Sequence, residues 1–269
     1  MQSYITGAGN AFAELAKRFT EGKEWTPASA DTELKVNILG LTPLDFPLRG
    51  TCEAMGEWLE SFGYKVNSYV GMHPYVGMNP TDNGDNLEEI VRLADANVNL
   101  VVSSIGKPLA DYLYQEYGIP YVIGTPYGRT FAKLLAEDLK KAAMESEKII
   151  TAKQHISADA KAVVIGESIT SASLAAALYH DKGISVRVLE SVGDGDMSVL
   201  NPPDDISCTE EDELEQELSK AEVVIADPLF EPICKGKRFI RLPHAAFSGR
   251  CYTKEEMNLI NTPLDKLGI

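Results

Sequence analysis

The chain has 269 residues, 44% of them hydrophobic, and a formal net charge of -15 from 40 acidic against 25 basic side chains. That field repels a phosphate backbone and argues against nucleic acid as a partner. No apolar run approaches the roughly 20 residues that cross a bilayer, and residues 1–6 lack the basic region and apolar core of a secretory leader. The chain therefore reads as cytoplasmic, with no membrane partner.

The length predicts two domains of roughly 100–150 residues each. Four scattered cysteines, Cys52, Cys208, Cys234 and Cys251, include no CxxC pair. They read as reduced thiols rather than a disulfide framework or a self-contained zinc or iron–sulfur site.

In chain order, Phe12, Leu15, Ala16 and Phe19 share a stripe and predict a helix over 11–19. Residues 20–33, polar and carrying Pro27, form a connector. Val36-Asn37-Ile38-Leu39-Gly40 opens a strand over 36–41. Pro43 and Pro47 then forbid regular structure until a helix starts near Leu48, lined by Met55, Leu59 and Phe62 and closed by Gly63. Cys52 inside it reads as core. Residues 65–70 make the second strand.

Residues 71–86, rich in Gly, Pro and Asn, form a long loop of the kind that is functional or disordered. His73 within it is a candidate ligand or acid–base group, since imidazole is the side chain whose charge changes most readily at physiological pH, beside a structural or solvated reading. A helix over 87–96 leads to the strand at 99–102. A helix over 108–117 stops at Gly118, and residues 119–123 are the fourth strand.

A charged helix over about 129–154 connects to a second unit. Its strands fall at 161–166, 184–189, 221–226 and 237–241, alternating with helices at about 170–181 and 210–220. Thr209 with Asp212, and Thr253 with Glu256, are placed as capping boxes. The acidic run 210–213 belongs at the positive end of its helix. The eight strands predict an α/β fold of two Rossmann-like doubly wound parallel-sheet domains, 1–150 and 151–269.

Val36-Asn37-Ile38-Leu39-Gly40, the helix end Phe62-Gly63-Tyr64-Lys65-Val66, residues 87–101, and Tyr112 to Tyr121 followed by Thr125-Pro126-Tyr127-Gly128 resemble the nitrogenase component 1 family. That family holds molybdenum–iron protein subunits, cofactor-assembly scaffolds and tetrapyrrole reductases. Its members carry three Rossmann-like domains, the first supplying cysteines for a bridging iron–sulfur cluster. The resemblance implies that this chain corresponds to the second and third, as a fragment or a shortened relative.

It also implies an oxidoreductase subunit of a hetero-oligomer. Partners would be a second component 1-type subunit and an ATP-dependent iron–sulfur reductase, and a metallocluster would be the cofactor although its cysteines are absent here. By itself the chain would be inactive. The alternative is a non-catalytic scaffold that binds a metallocluster, a tetrapyrrole or a small anion. Where the catalytic nitrogenase subunit has a cofactor-binding cysteine after its equivalent strand, this chain has Val102, Ser103 and Ser104. The segment 241–249 is similar to the one carrying that subunit's histidine ligand, which makes His244 a candidate metal ligand beside a hydrogen-bonded role at a strand end. Cys251, seven residues on, is a candidate second ligand or a spare buried thiol.

Two turns after strands are candidate anion or substrate sites. Gly166, Ser168 and Thr170 lie where a strand gives way to a helix, offering hydroxyls and free amides to an anion, or serving simply as an N-cap. Ser103, Ser104 and Lys107 form the equivalent turn in the first domain, with Pro108 presetting the helix start. Neither has a dinucleotide or nucleotide fingerprint. Both turns are expected to point into one cleft between the domains, with His244 near its rim.

Overall fold

Unbroken apolar runs make strands that are buried on both faces. The computed structural model describes residues 3–20, 26, 28–29, 33–74 and 86–269. After an opening helix, Tyr4–Phe19 (α1), the chain runs through Lys35–Leu41 (β1), Thr51–Glu60 (α2), Lys65–Gly71 (β2), Asn86–Val91 (α3), Val98–Val101 (β3), Lys107–Tyr117 (α4), Tyr121–Ile123 (β4), Thr130–Glu145 (α5) and Ile149–Ile150 (β5). The second half continues through Ala162–Gly166 (β6), Ser168–Lys182 (α6), Val186–Glu190 (β7), Ile206–Ser207 (β8), Glu211–Leu218 (α7), Val223–Ala226 (β9), Arg238–Arg241 (β10) and Ala245–Ser248 (α8).

The strands form two all-parallel sheets in the orders β2-β1-β3-β4-β5 and β10-β9-β6-β7-β8. The first order is flavodoxin-like and the second is of the Rossmann type, so the strand direction of travel reverses between β1 and β3 and between β6 and β9. Successive side chains of the first sheet serve opposite cores. Val36, Ile38, Val98, Leu100 and Val122 pack with α2 and α5, whereas Leu39, Val101, Tyr121 and Ile123 pack with α1 and α4. This second cluster runs on without a break into Val164, Val188 and Ile225 of the other sheet. The two sheets thus share one apolar core.

Helix α6 lies within that shared core. Every residue from 168 to 178 is buried, as expected for a helix whose apolar and small residues leave no polar face. The buried Asn37 side chain on β1 is satisfied internally: it donates to Asn99 Oδ1 at 2.8 Å and accepts from Asn67 at 2.8 Å.

The first helix begins at Tyr4 rather than near residue 11, and the sequence departs from the structure in four further places. The charged helix ends at Glu145 rather than near 154, because Ser146 turns left-handed and Ile149–Ile150 pairs with Val122 and Ile123 as a fifth strand. Ile206–Ser207 likewise pairs with Leu189 and Glu190, making ten strands among the described residues where eight are expected. Helix α7 starts beyond Glu210, which makes no side-chain cap, so Thr209 and Asp212 are not its capping pair.

No helix starts at Thr253; residues 251–255 are turns. There the chain is drawn back to the first sheet's side, where Asn258 donates to the Gly50 carbonyl at 2.9 Å and Ile260 bridges Tyr127. Ile260 joins the first domain's core. Of the long loop, residues 75–85 lie outside the described residues, as does most of the connector.

The turn after β3 depends on close backbone approach. Gly40 has φ +87° and a Cβ on Gly106 would collide with the Leu39 carbonyl. Gly106→Ala is expected to lower the unfolding free energy by about 3 kcal/mol, the upper range for overpacking. Gly7→Ala, on an open part of α1, is expected to raise it by about 0.5–1 kcal/mol through helix propensity. Urea unfolding of the two variants checks the contrast, and equal effects would refute it.

Candidate functional site

At the carboxyl edge of a parallel sheet, helix amino ends leave backbone amides unpaired. In α6 the Glu167 side chain meets them. Its carboxylate accepts from the Ile169 amide at 3.1 Å and the Thr170 amide at 2.9 Å, and from the Thr170 hydroxyl at 3.0 Å. The anion at this helix start is therefore the chain's own. The cap is Glu167, one residue before the Ser and Thr positions expected of it.

The same carboxylate reaches the first domain. It accepts the Ser104 amide at 3.0 Å and the Ser104 hydroxyl. Ser104 Oγ also lies 3.0 Å from Ser168 Oγ and accepts the Asp196 amide at 2.9 Å. The structure thus brings Ser104, Ser168 and Thr170 together around Glu167, with Gly166 on the cleft wall. Ser103 lies beneath, donating to the Gly40 carbonyl at 2.7 Å. Lys107 does not join them: its ammonium pairs with Asp111 one helical turn on, at 2.5 Å, and lies over the Tyr121 ring.

The cleft between the domains has a volume of about 50 Å³ and is bordered by Asp45, Tyr127, Glu167 and His244. Asp45 accepts from the Tyr4 hydroxyl at 2.6 Å and from the Thr42 hydroxyl at 3.1 Å. His244 lies at the rim. Its amide donates to Asp227 Oδ2 at 2.7 Å, and its Nδ1 accepts the Ala246 amide at 3.3 Å. That acceptor role assigns the ring proton to Nε2. Nε2 lies 3.4 Å from Asp45 Oδ1, within ion-pair range but out of line for a hydrogen bond.

Four buried carboxylates, Asp45, Glu167, Glu190 and Asp227, stand at or just beyond the ends of β1, β6, β7 and β9. Glu190 is occupied locally by the Val192 and Gly193 amides and the Ser207 hydroxyl. Sequence reading missed Asp45, Tyr4 and the role of Glu167. For Glu167 the available signal was a carboxylate placed directly after an apolar strand; Asp45 lies four residues beyond β1 and Tyr4 opens α1, so neither carried that signal.

Burial, then the nearby Asp45 charge, raises the Glu167 carboxyl above the ordinary glutamate value, with Ser104 and the Thr170 and Ile169 amides partly offsetting the rise. Burial and the same carboxylates push the Tyr4 and Tyr127 hydroxyls far up. Both phenols therefore remain proton donors.

No group of three or more His, Cys, Asp or Glu side chains among the described residues is arranged to hold a metal ion. Cys251 is exposed while Cys52, Cys208 and Cys234 are buried. Burial pushes the Cys52 thiol up to about 12 and the Cys234 thiol up to about 11, the reverse of what thiolate ligands require. The cysteine set does not fit an iron–sulfur cluster. His73 pairs with Glu89 at 3.3 Å and meets the Tyr69 ring edge-on.

Two parallel-sheet domains abutting at their carboxyl edges define an α/β protein of the kind that handles ligands and cofactors at such edges. The family model for nitrogenase component 1 type oxidoreductases matches residues 1–231, and the chain belongs to that family. It is 31% identical over 122 residues to the B subunit of the light-independent protochlorophyllide reductase of Chlorobium phaeovibrioides, covering 45% of this chain and 20% of that protein. To the corresponding B subunit of Chlorokybus atmophyticus it is 26% identical over 174 residues, covering 56% of this chain and 32% of that one.

The chain thus matches between a fifth and a third of these relatives' length. Among solved structures, ornithine carbamoyltransferase from Thermus thermophilus covers 97% of this chain and 84% of its own at a TM-score of 0.36 and 14% identity. That likeness is too loose to bear on function. No helix of the described residues is long and apolar enough to cross a membrane.

A carboxyl raised on folding binds its proton more tightly in the native state, so its contribution to stability is full below the unfolded value and is lost as pH rises through the folded one. Wild type minus Glu167→Gln, followed by urea unfolding from pH 4.5, the ordinary glutamate value, to neutrality, is expected to show the Glu167 contribution declining with pH. The slope is bounded by about 1.4 kcal/mol per pH unit. A contribution that grows with pH would show that hydrogen bonding outweighs burial.

Proposed function

We propose that the chain is one component of a nitrogenase-like reductase assembly, supplying a proton-holding frame while another polypeptide holds the metallocluster. In this reading an ATP-dependent iron–sulfur reductase delivers the electrons. The observation that carries the reading is the family match over residues 1–231, which takes in the first sheet and all of the second except β10. The thiol chemistry supports placing the cluster elsewhere, since no step can run through a cluster these cysteines do not fit. A second component 1-type subunit is the proposed partner.

Reducing a double bond consumes two electrons and two protons. The chain's own contribution would be the protons. Tyr4 holds Asp45 through a hydrogen bond, His244 Nε2 lies 3.4 Å from the same carboxylate without hydrogen-bonding it, and burial makes Glu167 hold a proton more readily than a free glutamate. General acid groups of this kind are worth about 100-fold or more in rate.

The relatives' names specify protochlorophyllide. A tetrapyrrole is far larger than a cleft of about 50 Å³, which holds only a few waters. A substrate of that size would therefore meet the assembly at a surface completed by the partner. The scaffold alternative draws support from the closed cleft, but its small-anion form is opposed by Asp45 and Glu167, which would repel an anion there.

Anaerobic purification of the chain alone is expected to give a colourless protein without iron. Joint purification with a cysteine-bearing component 1-type subunit should give an iron-containing complex that accepts electrons from the reductase only with ATP. In that complex Asp45→Asn is expected to lower turnover about 100-fold with complex formation intact. Stoichiometric iron in the lone chain would overturn the division of roles, and full turnover of Asp45→Asn would overturn the proton role.

A further inference from the structure

A second cavity, of about 710 Å³, lies outside the interdomain cleft. It is bordered by Pro47, Leu48 and Arg49 from the segment before α2, and by Arg250, Lys254 and Glu256 from the segment after α8. The hydrogen bond from Asn258 to the Gly50 carbonyl clamps these two segments together. Its size falls within the range of small-molecule pockets, about 300–1,000 Å³.

Its chemistry is opposite to that of the molecule around it. Three cations face one carboxylate here, in a chain whose net charge is -15. Elsewhere some basic side chains have carboxylate partners, as Lys17, Lys141, Lys182 and Arg241 do; what sets this place apart is three cations gathered around one cavity. Arg49, Arg250 and Lys254 make no side-chain hydrogen bond or ion pair with any described residue. Leu48 is 56% exposed and, with Pro47, gives the cavity an apolar wall. Glu256 is the one carboxylate on the wall, and burial raises its carboxyl above the ordinary glutamate value.

The cavity is also a neighbour of the interdomain cleft. Glu256 and Asn258 border it, whereas Met257 and Leu259 border the cleft, and Pro47 borders both. One segment thus forms the partition between an acidic interior and a basic exterior.

We propose that this cavity is a binding site for an amphipathic organic anion, its carboxylate, sulfonate or phosphate held by Arg49, Arg250 and Lys254 and its apolar body laid on Pro47 and Leu48. A long-range field that repels anions elsewhere would direct them to this patch. Guanidinium groups suit the planar or tetrahedral oxyanion through paired donors. This inference does not depend on the electron-transfer reading, because it concerns binding by the chain itself.

The test uses the full chain and the fluorescence of anilinonaphthalene sulfonate, an anion with an apolar body, beside the uncharged phenylnaphthylamine. Saturable binding of the sulfonate, displaced by pyrophosphate at constant ionic strength, is expected. The Arg49→Ala/Arg250→Ala double variant should weaken it about tenfold or more, the worth of one charge-assisted hydrogen bond. Leu48→Asp should weaken it comparably, and the uncharged probe should bind poorly to every form. All three side chains are exposed, so the variants retain the core. Sulfonate affinity within twofold of wild type in the double variant would overturn the proposal. So would equal binding of the uncharged probe, or a site that takes pyrophosphate and ignores Leu48→Asp.

Discussion

A helix that begins at a buried sheet edge has amides that water cannot reach, and the protein must meet them itself. In α6 that obligation falls on Glu167, whose carboxylate closes the helix start and also takes the amide and hydroxyl of Ser104 from the other domain. One side chain thereby satisfies a local requirement and a tertiary one. The cost is a carboxylate removed from water with Asp45 nearby, which raises its affinity for a proton. Much of the cleft follows from this constraint: Tyr4 and Thr42 donate to Asp45, and His244 faces it from the rim.

The sheets were legible in the sequence because a strand buried on both faces needs a continuous apolar run, and Leu100–Val102 or Ala162–Ile165 can be little else. Pairs such as Ile149–Ile150 and Ile206–Ser207 were not. Two residues carry no period, and they become strands only because a neighbouring edge is available to pair with them. Ser146 stops α5 by a left-handed turn that no nearby glycine or proline announces. The expected caps at Thr209 and Thr253 show the opposite error, a local motif overruled by where the chain has to travel.

The convergence of the two turns was readable from topology, since parallel strands deliver their following turns to one edge. What fills them was not. Exposed amides in a sequence motif look like a receptor for an external anion, and only the side-chain geometry shows Glu167 occupying them. Lys107 illustrates a nearer signal: Asp111 lies four residues on, at helical spacing, and takes its charge. The His244 backbone is tied at a strand end by Asp227 while its ring remains turned toward the cleft.

Charge is distributed by depth rather than spread evenly. Carboxylates stand at the ends of four strands inside the molecule, each held by donors from its own loop or the opposite domain, and three unpaired cations ring a cavity just outside them. A parallel sheet explains the first arrangement, because its carboxyl edge concentrates amide donors and so stabilises buried anions. It does not explain the second, since Arg49, Arg250 and Lys254 lie on irregular segments that no backbone field requires to be basic. Cations placed without a structural partner, over an apolar wall, and one segment away from proton-bearing side chains, are best accounted for by something they have to hold.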